Sequence, residues 1–140
     1  MRKNKKFIDP RYFMNEKTEE TDKVTGPSRG ISNIHSTLIA FFGAKGKLAV
    51  KKKDWTDAKK ASKSAQDKSA AQAAQKLVGV TYGRYIREVR YVIKNAKDLI
   101  KEINKPMNKK YAGSAEGSGR LSFAGVTIKK YKELLQELEN

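Results

Sequence analysis

Five basic side chains, Arg87, Arg90, Lys94, Lys97 and Lys101, recur at steps of three and four residues. On an α-helix that spacing puts them in one line, with neighbours ~5–6 Å apart. Glu88, Asp98 and Glu102 fall on a different arc of the same helix, so the line is expected to run without an acid in it. Such a row suits a row of phosphates, and Arg adds bidentate contacts that Lys does not make. Lys51, Lys52 and Lys53 form a second cluster. The chemistry on offer is polyanion binding, with affinity that falls as salt rises because counterions are released from the phosphates. The competing reading is a solvated helix face whose long side chains shield the apolar face beside them.

Other chemistry has little to stand on. GAKGK lacks the full GxxxxGK[ST] spacing of a phosphate-binding loop, and Leu48 stands where the magnesium-binding hydroxyl belongs. GSAEGSGR is glycine-rich but follows no strand pattern, which a dinucleotide site requires. No nucleophile elbow, HExxH pair or EF-hand loop is present. His35 is the single histidine; with no clustered acids and no cysteine in the chain, it reads as a packed or surface residue. The expectation is a non-enzymatic protein with no cofactor, no metal and no catalytic residue. No aromatic row suggests stacking on single-stranded bases, although Tyr85 and Tyr91 are isolated candidates.

The helix that must carry the basic line runs from Thr81 to Lys105. Tyr82, Ile86, Val89, Ile93, Ala96, Ile100 and Ile103 recur at steps of four and three, and Tyr85, Val92 and Leu99 widen that face. Pro106 ends it. Before it, Asp54 is expected to cap a helix starting at Trp55. That helix would continue through an alanine-, lysine- and serine-rich stretch with a thin apolar face. Gly79 and Gly83 predict a bend or break. Residues 31–53 admit two readings. One is a helix over 32–42, capped by Ser32 or Asn33 and ended by Gly43 or Gly46. The other is a hairpin in which TLIAFF and KLAVK flank a glycine turn. The helix up to Phe42, followed by a short extended piece, is the preferred one. Residues 106–122 carry three glycines and three serines and read as a flexible linker. Thr127 is expected to cap a last helix, with Val126 stapled against Tyr131.

AKKASKSAQDKSAAQAAQKL resembles the lysine- and alanine-rich second helix of double-stranded-RNA-binding domains over about twenty residues. That domain needs three strands before the helix, and residues 1–53 do not supply them. No family follows from the sequence.

The N-terminal stretch is different in kind. Phe7, Ile8, Tyr12, Phe13 and Met14 crowd apolar surface into eight residues, and Glu16, Glu19, Glu20 and Asp22 follow. Five such side chains need a groove. The expectation is an arm that docks on a neighbouring chain; the alternative is docking on the chain's own core.

The formal net charge of +16 over 140 residues favours anionic partners and does not bear on fold. With no cysteine, disulfides and thiolate metal sites are excluded. No secretory h-region and no membrane-length apolar run is visible, which reads as a protein inside the cell or within a virion-type particle. The expected fold is all-α: a small bundle of four or five helices with an extended N-terminal arm (1–30), a basic helical core (31–105), a Gly/Ser linker (106–122) and a C-terminal helix (123–140). The expected function is a basic structural component of a nucleic-acid-containing particle, virion or ribonucleoprotein. It would contact nucleic acid or another polyanion through its Lys/Arg stripes and neighbouring chains through its arms, with neither a membrane nor a small-molecule substrate as partner. A free-standing nonspecific nucleic-acid binder is the first alternative, and an adaptor for an acidic protein the second.

Overall fold

The computed structural model describes residues 26–140. The aromatic segment Phe7–Met14 and the acids that follow it lie outside the described residues. The architecture is all-α, and no strand occurs among the described residues. Five helices follow in order: α1 (Arg29–Ile39), α2 (Lys47–Lys63), α3 (Lys68–Ile103), the four-residue α4 (Lys109–Ala112) and α5 (Ala115–Glu139). A single 3-10 turn, Pro106–Asn108, joins α3 to α4.

Every other described helix packs against α3. Its 36 residues make a rod of roughly 54 Å. The deepest line along it is Tyr85, Val89, Val92, Ala96, Leu99 and Ile103; the last five are fully buried. Ile86 and Ile93 are buried too, while Ile100 is half-buried. Val89, Ala96 and Ile103 were expected on the main line and Tyr85, Val92 and Leu99 only at its edge, so the buried face is shifted toward that edge because helices pack on both sides of it. Each fully buried aliphatic side chain here contributes roughly 1.5–3 kcal/mol through removal from water.

The first half of the preferred reading of residues 31–53 holds, with different ends, but the short extended piece expected after it is helix from Lys47 onward. Ser28, not Ser32 or Asn33, caps α1: its hydroxyl accepts from the Ile31 N–H at 3.2 Å. Ile31 and Leu38 bury completely. The turn after α1 is tight. Gly43 has φ +91°, where a side chain is strained, and Gly46 lies so close to the Phe41 and Phe42 carbonyls that a Cβ has no room. α2 then starts at Lys47, so Lys51–Lys53 and Asp54 sit inside the helix and Asp54 caps nothing. Leu48 is buried and draws the start forward; Trp55 stacks on Tyr85 at 5.8 Å and packs on Tyr82 at 5.1 Å.

The alanine-rich stretch is two helices. α2 ends at Lys63, and Asp67 caps α3 by accepting from the Ala70 N–H at 2.7 Å. Ser62 bonds Gln75 across the hairpin at 2.9 Å. Gly79 and Gly83 do not break α3. Both are exposed with open space where a Cβ would be, so their cost in propensity is met by the packing of the opposite face.

Residues 106–122 are not a linker. Asn108 is buried and donates to the Glu102 carbonyl at 2.8 Å, tying the turn to the end of α3. Tyr111 is 1% exposed. Ser114 caps α5 by accepting from the Gly117 N–H at 3.1 Å. Gly117 packs on the Tyr111 carbonyl with no space for a Cβ. Close approach explains that glycine better than flexibility does. The last helix consequently begins twelve residues before Thr127, which is buried mid-helix, and Val126 points to solvent at 63% exposure and staples nothing.

Leu99→Ala should cost ~2–5 kcal/mol in denaturant unfolding. Gly119→Ala, in open space on α5, should stabilise by up to ~1 kcal/mol, whereas Gly117→Ala should destabilise despite the better helix propensity of alanine. Equal, negligible effects of the two glycine substitutions would fit a linker and contradict a packed α5 start.

Candidate functional site

Arg87, Arg90, Lys94, Lys97 and Lys101 are all exposed on α3, turned away from the buried line. The geometry follows from the 100° step of the helix: a face centred on Tyr85 and Val89 leaves these positions on the far side. Arg90, Lys94, Lys97 and Lys101 border one shallow depression of about 380 Å³ with Ile93 beneath them. From Arg90 to Lys101 the line is about 16 Å long.

The line is not free of acids. Lys94 donates to Asp98 at 3.0 Å, one turn on, and Arg90 pairs with Glu139 from the end of α5. The sequence pattern placed Asp98 on another arc, but an i,i+4 pair bridges that gap. The second pair needs the tertiary packing of α5 and has no local signal. Both pairs are exposed and hold their partners weakly. Arg87, Lys97 and Lys101 make no ion pair with a described residue.

The three lysines of α2 do not act as one cluster. Successive residues of a helix point 100° apart. Lys51 lines a depression with Lys45, Lys47 and Glu88. Lys52 turns toward α5, where it shares a groove with Lys130. Lys53 pairs with Asp57 at 2.8 Å, and that hydrogen bond raises the lysine pKa and lowers the aspartate's. None of the three borders the depression of α3. The basic surface is thus several patches: α2 holds seven lysines against two aspartates, and α3 eight Lys/Arg against three acids.

The groove with Lys52 and Lys130 was not legible in the sequence. It measures about 410 Å³ and is walled by Phe41, Phe42, Leu48, Tyr131 and Leu134, with Tyr85 at its base. Phe42 packs on Tyr131 at 5.9 Å and on Phe123 at 6.0 Å. Three sequence-distant elements meet there, so no spacing rule could have found it.

His35 sits half-buried where α1 meets α5, edge-on to Phe123 at 6.3 Å. Burial pushes its imidazole pKa below the ordinary value; Arg120 adds to that and Glu116 opposes it. Arg120 pairs with Glu116 at 2.9 Å. Nearby, burial pushes the Tyr111 hydroxyl up, and its oxygen has no hydrogen-bond partner among the described residues. Among the described residues no group of three or more His, Asp or Glu is placed to hold a metal ion. No described helix is long and apolar enough to cross a membrane.

No family model, no curated protein and no solved structure matches this chain.

Because folding lowers the His35 pKa, the unfolded chain binds the proton more readily in the window below about 6.5. Stability should therefore fall as pH drops through that window. His35→Asn should flatten the dependence of melting temperature on pH between about 7.5 and 5.5. An unchanged slope would assign the loss to other groups.

Proposed function

We propose that this protein is a non-enzymatic, basic assembly component of a nucleic-acid-containing particle of virion or ribonucleoprotein type. The observation that carries the proposal is the far face of α3, where Arg87, Lys97 and Lys101 are exposed without a described ion-pair partner beside the weakly held Arg90 and Lys94. These cations stand on a rigid rod whose other side is locked in the core. A flexible tail loses backbone and side-chain entropy on binding; this face loses only that of its side chains.

The mechanism is electrostatic. A run of duplex about 16 Å long carries roughly nine backbone charges at one per ~1.7 Å, so four or five cations along α3 engage part of that charge and release counterions. A line of exposed cations along a helix engages phosphates, which position a partner without reading its bases. The patches on α2 and around Lys130 face other directions. A single copy thereby presents polyanion contacts on more than one side, which suits a component embedded among nucleic acid and neighbouring chains. A free-standing binder would use the same α3 face. Native mass spectrometry with and without DNA and RNA separates the two, since an assembly component forms multi-copy complexes and a free-standing binder forms one-to-one or distributive ones.

Changing Arg87, Arg90, Lys94 and Lys97 to glutamine should weaken duplex binding. It should also reduce the slope of log K against log salt by up to ~3–4, at ~0.9 for each phosphate no longer neutralised. Folding stability should barely move, because surface pairs contribute about 0–1 kcal/mol. Unchanged affinity and slope would leave α3 with a solvated face only.

A further inference from the structure

The groove between α2 and α5 has the shape and lining of a receptor for apolar side chains. Phe42, Leu48, Tyr131 and Leu134 wall it, and Lys52 and Lys130 flank it. Phe42 and Tyr131 are only half-buried, so part of each ring remains in water. No acid among the described residues lines the groove. We infer that this groove is the docking site of the chain's own N-terminal segment, Phe7 to Met14.

Three observations fit that occupant. The first is chemistry: the segment brings Phe7, Ile8, Tyr12, Phe13 and Met14, and aromatic side chains pack well against the rings already in the groove. The second is charge. Phe7–Met14 itself is neutral, with Asp9 against Arg11, but Glu16, Glu19, Glu20 and Asp22 follow it within eight residues, against two lysines and no acid among the described residues lining the groove. Elsewhere the chain is strongly basic, and no other stretch of comparable length combines such apolar density with acidic character. The third is reach. Thirteen residues separate Met14 from Ser28, the cap of α1. A chain of that length has a root-mean-square span of about 20 Å and reaches about 45 Å at full stretch. Phe41 and Phe42 follow the far end of α1, which is about 16 Å long. The connecting length therefore matches the gap, the condition under which effective concentration is highest, in the mM range.

The sequence alone pointed to docking on a neighbouring chain. A receptor groove on the chain itself, within reach of its own tail, turns that expectation inward. The inference does not depend on nucleic-acid binding.

The absence of cysteine permits a direct test on the full chain. Met14→Cys is combined with Ala49→Cys, which lines the groove, and separately with Lys60→Cys, which is exposed further along α2. Each protein is oxidised at low micromolar concentration and examined by non-reducing electrophoresis and sedimentation. The expected result is a monomeric, internally linked product for the Ala49 pair, formed at least about tenfold faster than for the Lys60 pair, as the difference in effective concentration requires. Linked dimers in place of the monomeric loop would overturn the inference and give the segment to another copy. Equal rates for the two pairs, or no link, would overturn it as well. Loss of nucleic-acid binding bears on the proposed function and leaves this result untouched.

Discussion

The constraint on which this structure depends is the burial of one face of α3. Val89, Val92, Ala96, Leu99 and Ile103 are completely removed from water, and no other described helix has an apolar line of comparable length. α1 and α2 contribute two buried apolar residues each, and α5 buries only Gly117, Ala124 and Thr127, with Ile128, Leu134, Leu135 and Leu138 half-covered. α1 is strongly amphipathic but short, and α2 and α5 carry thin apolar faces, so none of them is stable alone. They are held because α3 offers each of them a partner. Once that face is committed, the opposite arc must face solvent, and its residues are basic.

The charge works against compactness and is managed locally rather than neutralised. Excess like charge disfavours the folded state. The ion pairs Lys53–Asp57, Lys94–Asp98, Lys105–Glu102 and Arg120–Glu116 each join residues within four positions, so they relieve repulsion along a helix without linking distant elements. Among the described residues, Arg90–Glu139 is the pair that joins two long helices. Lys59 lies over the Trp55 ring at 3.8 Å, a cation–π contact that tethers one more lysine to the core. What remains unneutralised is concentrated on faces that pack against nothing described, where an anion would relieve it.

The all-α class and the buried face of α3 were legible because periodicity records which side of a helix meets the core. The α3 cations were legible by the same rule: Arg87 to Lys101 fall where the buried line does not. Helix ends were less so. Ser28 is an ordinary cap that competed with Ser32, and Gly46, which has no capping side chain, starts the helix that Asp54 was expected to cap; the burial of Ile31 and Leu48 decides the two cases. The glycines misled most. Gly79 and Gly83 suggested a break and Gly117 a linker, yet one pair is tolerated by packing elsewhere and the other residue is required by the Tyr111 carbonyl. A glycine's type does not reveal whether it gives freedom or allows close approach. The apolar groove of Phe42, Leu48 and Tyr131 was invisible because its walls come from three distant segments. Lys51–Lys53 looked like one patch because adjacency in sequence conceals the 100° turn between neighbours on a helix.

The central claim is that packing α3 into the core leaves its far face as the principal surface for a polyanion. Lysine acetylation footprinting of the full chain, free and bound to a nonspecific DNA duplex at low salt, tests it most directly. The account predicts that Lys94, Lys97 and Lys101 lose reactivity on binding, while the exposed Lys129 and Lys132 of α5 change little. Protection of Lys129 and Lys132 with Lys94–Lys101 still reactive would contradict it.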